Sequence, residues 1–104
     1  MANNMMNMQK MLKEAKKMQA KLEESQKDLE KQVFEGKEPS GMIKAKVGGD
    51  RRVKAIEMDP AVIDPEDPDM LSDLLIAAVN DGLSKVDSAQ ESNMGNLSKG
   101  FPGF

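Results

Sequence analysis

A chain of 104 residues builds one small domain with a limited core, so burial against a second subunit is expected. Cysteine and histidine are both absent, which excludes disulfides, thiolate chemistry and the commonest general base and metal ligand. The formal net charge is −3, yet residues 1–60 hold 13 Lys/Arg against 10 Asp/Glu while residues 61–104 hold 2 against 8.

Residues 4–33 predict one long helix, rich in Lys, Glu, Gln, Met, Leu and Ala and free of Gly and Pro. Met8, Leu12, Ala15, Gln19, Leu22, Gln26, Leu29 and Val33 recur at alternating spacings of four and three. That is the seam of a coiled coil, in which the two glutamines weaken packing and fix register. At about 100° per residue, Lys10, Lys13, Lys17 and Lys21 gather opposite the seam, with Lys16 beside them. Residues 1–22 hold five lysines and a single acid, Glu14. Such a rod is about 45 Å long, and its exposed half calls for another chain.

Beyond it the period changes from helix to strand. Residues 33–58 predict a three-stranded antiparallel meander, with a turn at Glu38-Pro39-Ser40-Gly41. Ile43, Ala45 and Val47 share one face of the middle strand. Gly48-Gly49-Asp50 marks a hairpin. The return strand places Val53 and Ala55 in one phase and Ile56 and Met58 in the other, leaving its register open. Asp59-Pro60 and Asp67-Pro68 each read as an N-cap followed by proline at the first helical position. The first opens a single turn and the second a last helix over 68–92. Leu71, Leu74, Leu75, Ala78, Val79, Gly82 and Val86 form that helix's buried face. From Asn93 the chain loses periodicity and is expected to be a mobile tail, 93–104. The fold class is therefore α+β, ordered α-β-β-β-α, with a single domain over 1–92.

Several residue groups carry candidate chemistry, each with a plainer alternative. The lysine stripe reads either as a phosphate-binding face or as an ordinary solvated face. Arg51 and Arg52, at the hairpin tip, offer planar forks for phosphate or guanine, or simply discourage edge aggregation. Lys44, Lys46 and Lys54 read as outward-facing strand residues. The ten methionines read as packing rather than as soft-metal ligands. The acidic stretch from Asp59 to Asp69 lacks the ligand spacing of a calcium loop, so capping explains it better. No spacing supports catalysis, a cofactor or a metal. With Phe34, Phe101 and Phe104 as the only aromatics, stacking on unpaired bases is disfavoured. The N-terminus lacks a signal-peptide core, and the longest apolar run, Leu74 to Val79, is too short for a bilayer. A cytoplasmic protein without a membrane partner is expected.

Three stretches together resemble the YbaB/EbfC family of bacterial nucleoid-associated proteins. They are Asn7-Met-Gln-Lys-Met-Leu-Lys-Glu-Ala-Lys-Lys-Met-Gln, Ser40-Gly-Met-Ile-Lys-Ala-Lys-Val-Gly-Gly through Ile56-Glu-Met-Asp-Pro60, and Asp73-Leu-Leu-Ile-Ala-Ala-Val-Asn-Asp81. The closing Met94 to Phe104 is similar to the family's short tail. The resemblance implies an α-β-β-β-α subunit and a homodimer with helices projecting like tweezers. It also implies a cytoplasmic, nucleoid protein that binds duplex DNA and alters its conformation, with no enzymatic motif. Gly82 stands where the family commonly has alanine, and a looser last helix is expected there.

On this reading Lys10, Lys13, Lys16, Lys17, Lys21, Arg51 and Arg52 are the candidate DNA contacts. Met8, Leu12, Leu22, Leu29 and Val33 are the candidate seam, and Leu71, Leu75, Val79 and Val86 hold the last helix to the sheet or partner. The acidic C-terminal half is a candidate surface for a protein partner. The principal rival is a prefoldin-like coiled-coil interaction or holdase module. A third reading is an accessory subunit of recombination or replication.

Overall fold

A computed structural model describes the backbone of residues 2–100 and the side chains of residues 6–95; the end of the expected tail, 101–104, lies outside the described residues. In chain order the elements are α1 (Ala2–Lys31), β1 (Val33–Lys37), β2 (Ile43–Gly48), β3 (Val53–Met58), a 3-10 turn (Pro60–Val62) and α2 (Pro68–Gly100). This is the expected α-β-β-β-α order, with an antiparallel sheet arranged β1-β2-β3.

Two different devices close the sheet's turns. Between β1 and β2, Gly41 N–H donates to Glu38 O at 2.9 Å, and Gly41 takes φ 73°, where a residue without Cβ meets no penalty. The Glu38 side chain is buried beneath the turn. Its Oε1 accepts from Ser40 Oγ, Met42 N–H and Ile43 N–H, and its Oε2 from Ser40 N–H. The Ser40 hydroxyl first, then these amides, hold the carboxyl below its ordinary pKa. Between β2 and β3, Arg51 N–H donates to Gly48 O at 2.9 Å and Gly48 N–H to Arg52 O at 2.8 Å. Arg51 sits at φ 65°, the left-handed third position of a three-residue hairpin loop. An L-residue there costs about 1 kcal/mol. The Arg51 guanidinium meets Asp87 of α2 at 2.5 Å.

A bulge settles the register that the pattern left open. Lys46 opposes Ala55, but Val47 opposes Val53, so Lys54 is the extra residue. The insertion puts Val53 on the same face as Ile56 and Met58, because all three oppose inward residues of β2.

The core lies between the sheet and α2. Ile43, Ala45, Val47, Val62, Ala78 and Val86 are buried, and Phe34, Leu71, Leu74, Leu75, Val79 and Leu83 pack around them. Each large aliphatic buried there contributes about 1.5–3 kcal/mol. Asp59 and Asp67 cap the 3-10 turn and α2 as expected, accepting from Ala61 N–H at 2.9 Å and Met70 N–H at 3.2 Å.

Gly82 corrects one expectation. A Cβ at Gly82 would stand 2.6 Å from Val47 Cγ2, and one at Gly36 would overlap Gly82 N and Ala78 O. The backbones of β1 and α2 therefore nearly touch, and glycine at 82 permits tight packing rather than loosening the helix. α2 also continues to Gly100, past the expected end at 92. A mid-helix glycine such as Gly95 costs only about 1 kcal/mol, and Asn93 Nδ2 reaches Ser25 O of α1 at 3.4 Å.

α1 leaves the body as a rod. Residues 6–17 are exposed throughout, and among the described side chains of α1 only Met18, Leu22, Ser25 and Leu29 turn inward. The contact line thus runs through Met18 and Ser25, whereas Gln19 and Gln26 are exposed. Val33 is not a helical seam residue; it begins β1 and is 56% exposed, because the chain leaves the helix at Lys31. The end of α1 seats on the β2–β3 hairpin, where Gly49 N–H donates to Gln32 O at 2.9 Å. A Cβ on Gly49 would overlap Leu29 O. The molecule measures 79 × 19 × 16 Å. It exposes 7864 Å², against about 5,800 Å² for a compact monomer of its mass.

Candidate nucleic-acid interface

Charge on the projecting half of α1 is arranged by helical spacing alone. Lys10, Lys13, Lys16 and Lys17 are exposed, and among the described residues none of them forms an ion pair. Lys21, also exposed, continues the line toward the body. From Lys10 to Lys21 the helix rises about 16 Å, the axial span of about five phosphates on one DNA strand. Met6, Met8, Met11 and Leu12 are exposed on the same half, so the rod presents both cationic and apolar groups.

The other basic residues are placed differently. Arg51 is engaged by Asp87 and holds the hairpin to α2. Arg52 is exposed and, among the described residues, forms no ion pair. Both lie at the seat of α1, about 28 Å of helix from Lys10. The structure therefore does not bring the arginines and the lysine stripe together. Lys44 pairs with Glu35 at 3.9 Å, Lys46 with Glu57 at 3.5 Å and Lys54 with Asp50 at 2.8 Å. These sheet lysines are ordinary surface partners, worth little each.

Two features escaped the sequence reading. The first is the uncovered part of the sheet. α2 packs on β1 and β2, leaving Val53, Ile56 and Met58 of β3 40–47% exposed on the inner face. Ile76, Val79 and Leu83 occupy the flank of α2 away from Asp81 and Lys85, which reach β1. Only the bulge, invisible in the pattern, aligns the three β3 residues. The second is the pair Asp81 and Lys85 itself. Asp81 Oδ2 accepts from Lys37 N–H at 3.0 Å, and Lys85 Nζ donates to Glu35 O at 2.6 Å. The Lys37 amide foremost, then Lys85, holds the Asp81 carboxyl below its ordinary pKa. An i,i+4 Asp/Lys spacing was legible as an ion pair, but not its reach to a strand.

Residues 5–101 match the model of the YbaB/EbfC DNA-binding family. The chain belongs to that family. It is 48% identical over 96 residues to the nucleoid-associated protein LBA0378 of Lactobacillus acidophilus, covering 92% of this chain and 86% of the relative. It is 41% identical over 98 residues to a nucleoid-associated protein of Lactococcus lactis subsp. cremoris, covering 94% and 99%. Its fold is similar to that of uncharacterized protein HP0035 from Helicobacter pylori, with TM-score 0.68, 18% identity and coverage of 80% and 87%. Membership in a YbaB/EbfC DNA-binding family makes DNA the ligand class against which the lysine stripe is to be read. Among the described residues no helix is long and apolar enough to cross a membrane.

Proposed function

We propose that this chain is a nucleoid-associated protein of the cytoplasm that grips duplex DNA as a homodimer and alters its conformation without enzymatic chemistry. The observation that carries the reading is the projecting half of α1, with exposed Lys10, Lys13, Lys16 and Lys17 and only Glu14 among them. Two copies present two such stripes, and phosphate neutralisation then supplies affinity with little base readout. Lys21 extends the stripe and Arg52 adds a cation at its seat, while Arg51 serves the hairpin. The uncovered face of β3, with Ile76 and Leu83 alongside, supports a second copy as the covering partner. Met8 and Leu12 supply a seam between projecting helices. Bending or bridging of DNA by such a clamp would influence nucleoid organisation and gene expression. The acidic second half repels duplex, which confines contact to α1, and remains available to a basic protein partner.

The test is binding to a fluorescent random-sequence duplex at about 50 and about 200 mM salt. Four neutralised phosphates predict a loss of about 100-fold across that range, and two stripes of four a loss of about 10⁴-fold. Affinity indifferent to salt would sink the reading. The exposed Met6, Met8, Met11 and Leu12 favour the holdase alternative, which predicts salt-insensitive suppression of client aggregation.

A further inference from the structure

A sheet edge is a row of N–H and C=O groups that invites another strand. This sheet has two, at β1 and β3, and they are treated differently. On β1, Glu35 O and Lys37 N–H point away from β2 and are bonded to side chains of α2. Lys85 Nζ takes the carbonyl at 2.6 Å and Asp81 Oδ2 takes the amide at 3.0 Å. The two side chains stand one helical turn apart and meet each other at 3.6 Å. The near-contact of Gly36 with Gly82 brings α2 close enough for both to reach past the strand. On β3, among the described residues, no side chain bonds the backbone of residues 53–58, and the inner apolar face is uncovered.

We propose that Asp81 and Lys85 form an edge lock that withdraws β1 from strand pairing and confines assembly to the β3 side. The inference rests on the homodimer reading and goes beyond it. Two copies joined through β3 would leave a β1 edge at each end of the assembly. Open, those ends would accept further copies and the array would grow; locked, it closes at two. Closure matters for a DNA clamp, because a growing array would coat the duplex rather than grip it at separate points.

The experiment is sedimentation velocity of the full chain and of Asp81→Ala/Lys85→Ala, from about 5 to about 200 µM. The wild type keeps one size, and the double variant grows with concentration past twice the wild-type mass. Lys85→Arg, which keeps a donor, retains the wild-type size. A folded double variant with the wild-type size at every concentration overturns the lock. If the double variant does not fold, Lys85→Ala alone is measured, and an unchanged size again overturns it. A monomeric wild type with a growing variant overturns the homodimer and keeps the lock. Two dimers do the reverse.

Discussion

The body and the projecting half of α1 are built on opposite terms. In the body, backbone meets backbone at Gly36 and Gly82 and at Gly49 and Leu29. Among the described residues no buried side-chain polar atom lacks a partner there. In residues 6–17 every side chain is exposed, and the four lysines there form no ion pair among the described residues. If the proposed clamp is right, stability and ligand contact occupy different residues, so substitutions should separate them.

The largest break is expected from Gly36→Ala. Its methyl group would meet backbone atoms of α2, which cannot rotate away. A loss of about 3 kcal/mol, the upper range for overpacking, should appear in urea denaturation, with DNA affinity unchanged where the variant is folded. A loss below about 1 kcal/mol would show that α2 lifts freely. The complementary variant, Lys10→Glu/Lys13→Glu/Lys17→Glu, should weaken duplex binding at about 50 mM salt by at least about 100-fold. Its urea midpoint should match the wild type; binding that survives would remove the stripe from the interface.

A smaller effect tests the body through pH. Glu38 has its pKa lowered from an ordinary 4.5, by the Ser40 hydroxyl first. A depressed carboxylate contributes stability above its unfolded pKa and loses it as pH falls through the folded value. Glu38→Gln should therefore melt below the wild type at pH 7, with the gap closing as the solution is taken below pH 4.5. A gap independent of pH would mean that the carboxylate's charge plays no part in the turn. The smallest change is expected from Lys44→Ala/Lys46→Ala. Both lysines already face Glu35 and Glu57, so duplex affinity should stay within about twofold. A larger fall would move the interface onto the sheet.

Much of the architecture was legible because period and capping are local. The inward set Ile43, Ala45 and Val47, the two Asp-Pro starts and the buried stripe of α2 need only spacing to be seen. What escaped depends on tertiary approach. Gly82 reads as a weak point until Val47 is found against it. Val33 fits a heptad until the chain turns at Gln32, whose N–H bonds Leu29 O at 3.1 Å. Met18 and Ser25 fit a second heptad line as well as Gln19 and Gln26 fit the first, and only packing against α2 chooses between them. The lysine stripe and the scarcity of acids around it were legible in the sequence, but the reach of Lys85 to the Glu35 carbonyl of β1 was not, since it depends on tertiary approach.

The seating of α1 on Gly49 has a mechanical consequence. From Leu29 to Lys10 the helix is a lever of about 28 Å. A tilt of about 10° at its fulcrum swings Lys10 through about 5 Å, close to the width of a DNA minor groove. A glycine thus fixes the aim of cations it never touches. One added carbon at position 49 would leave the lysine stripe chemically intact and misdirect it by a groove.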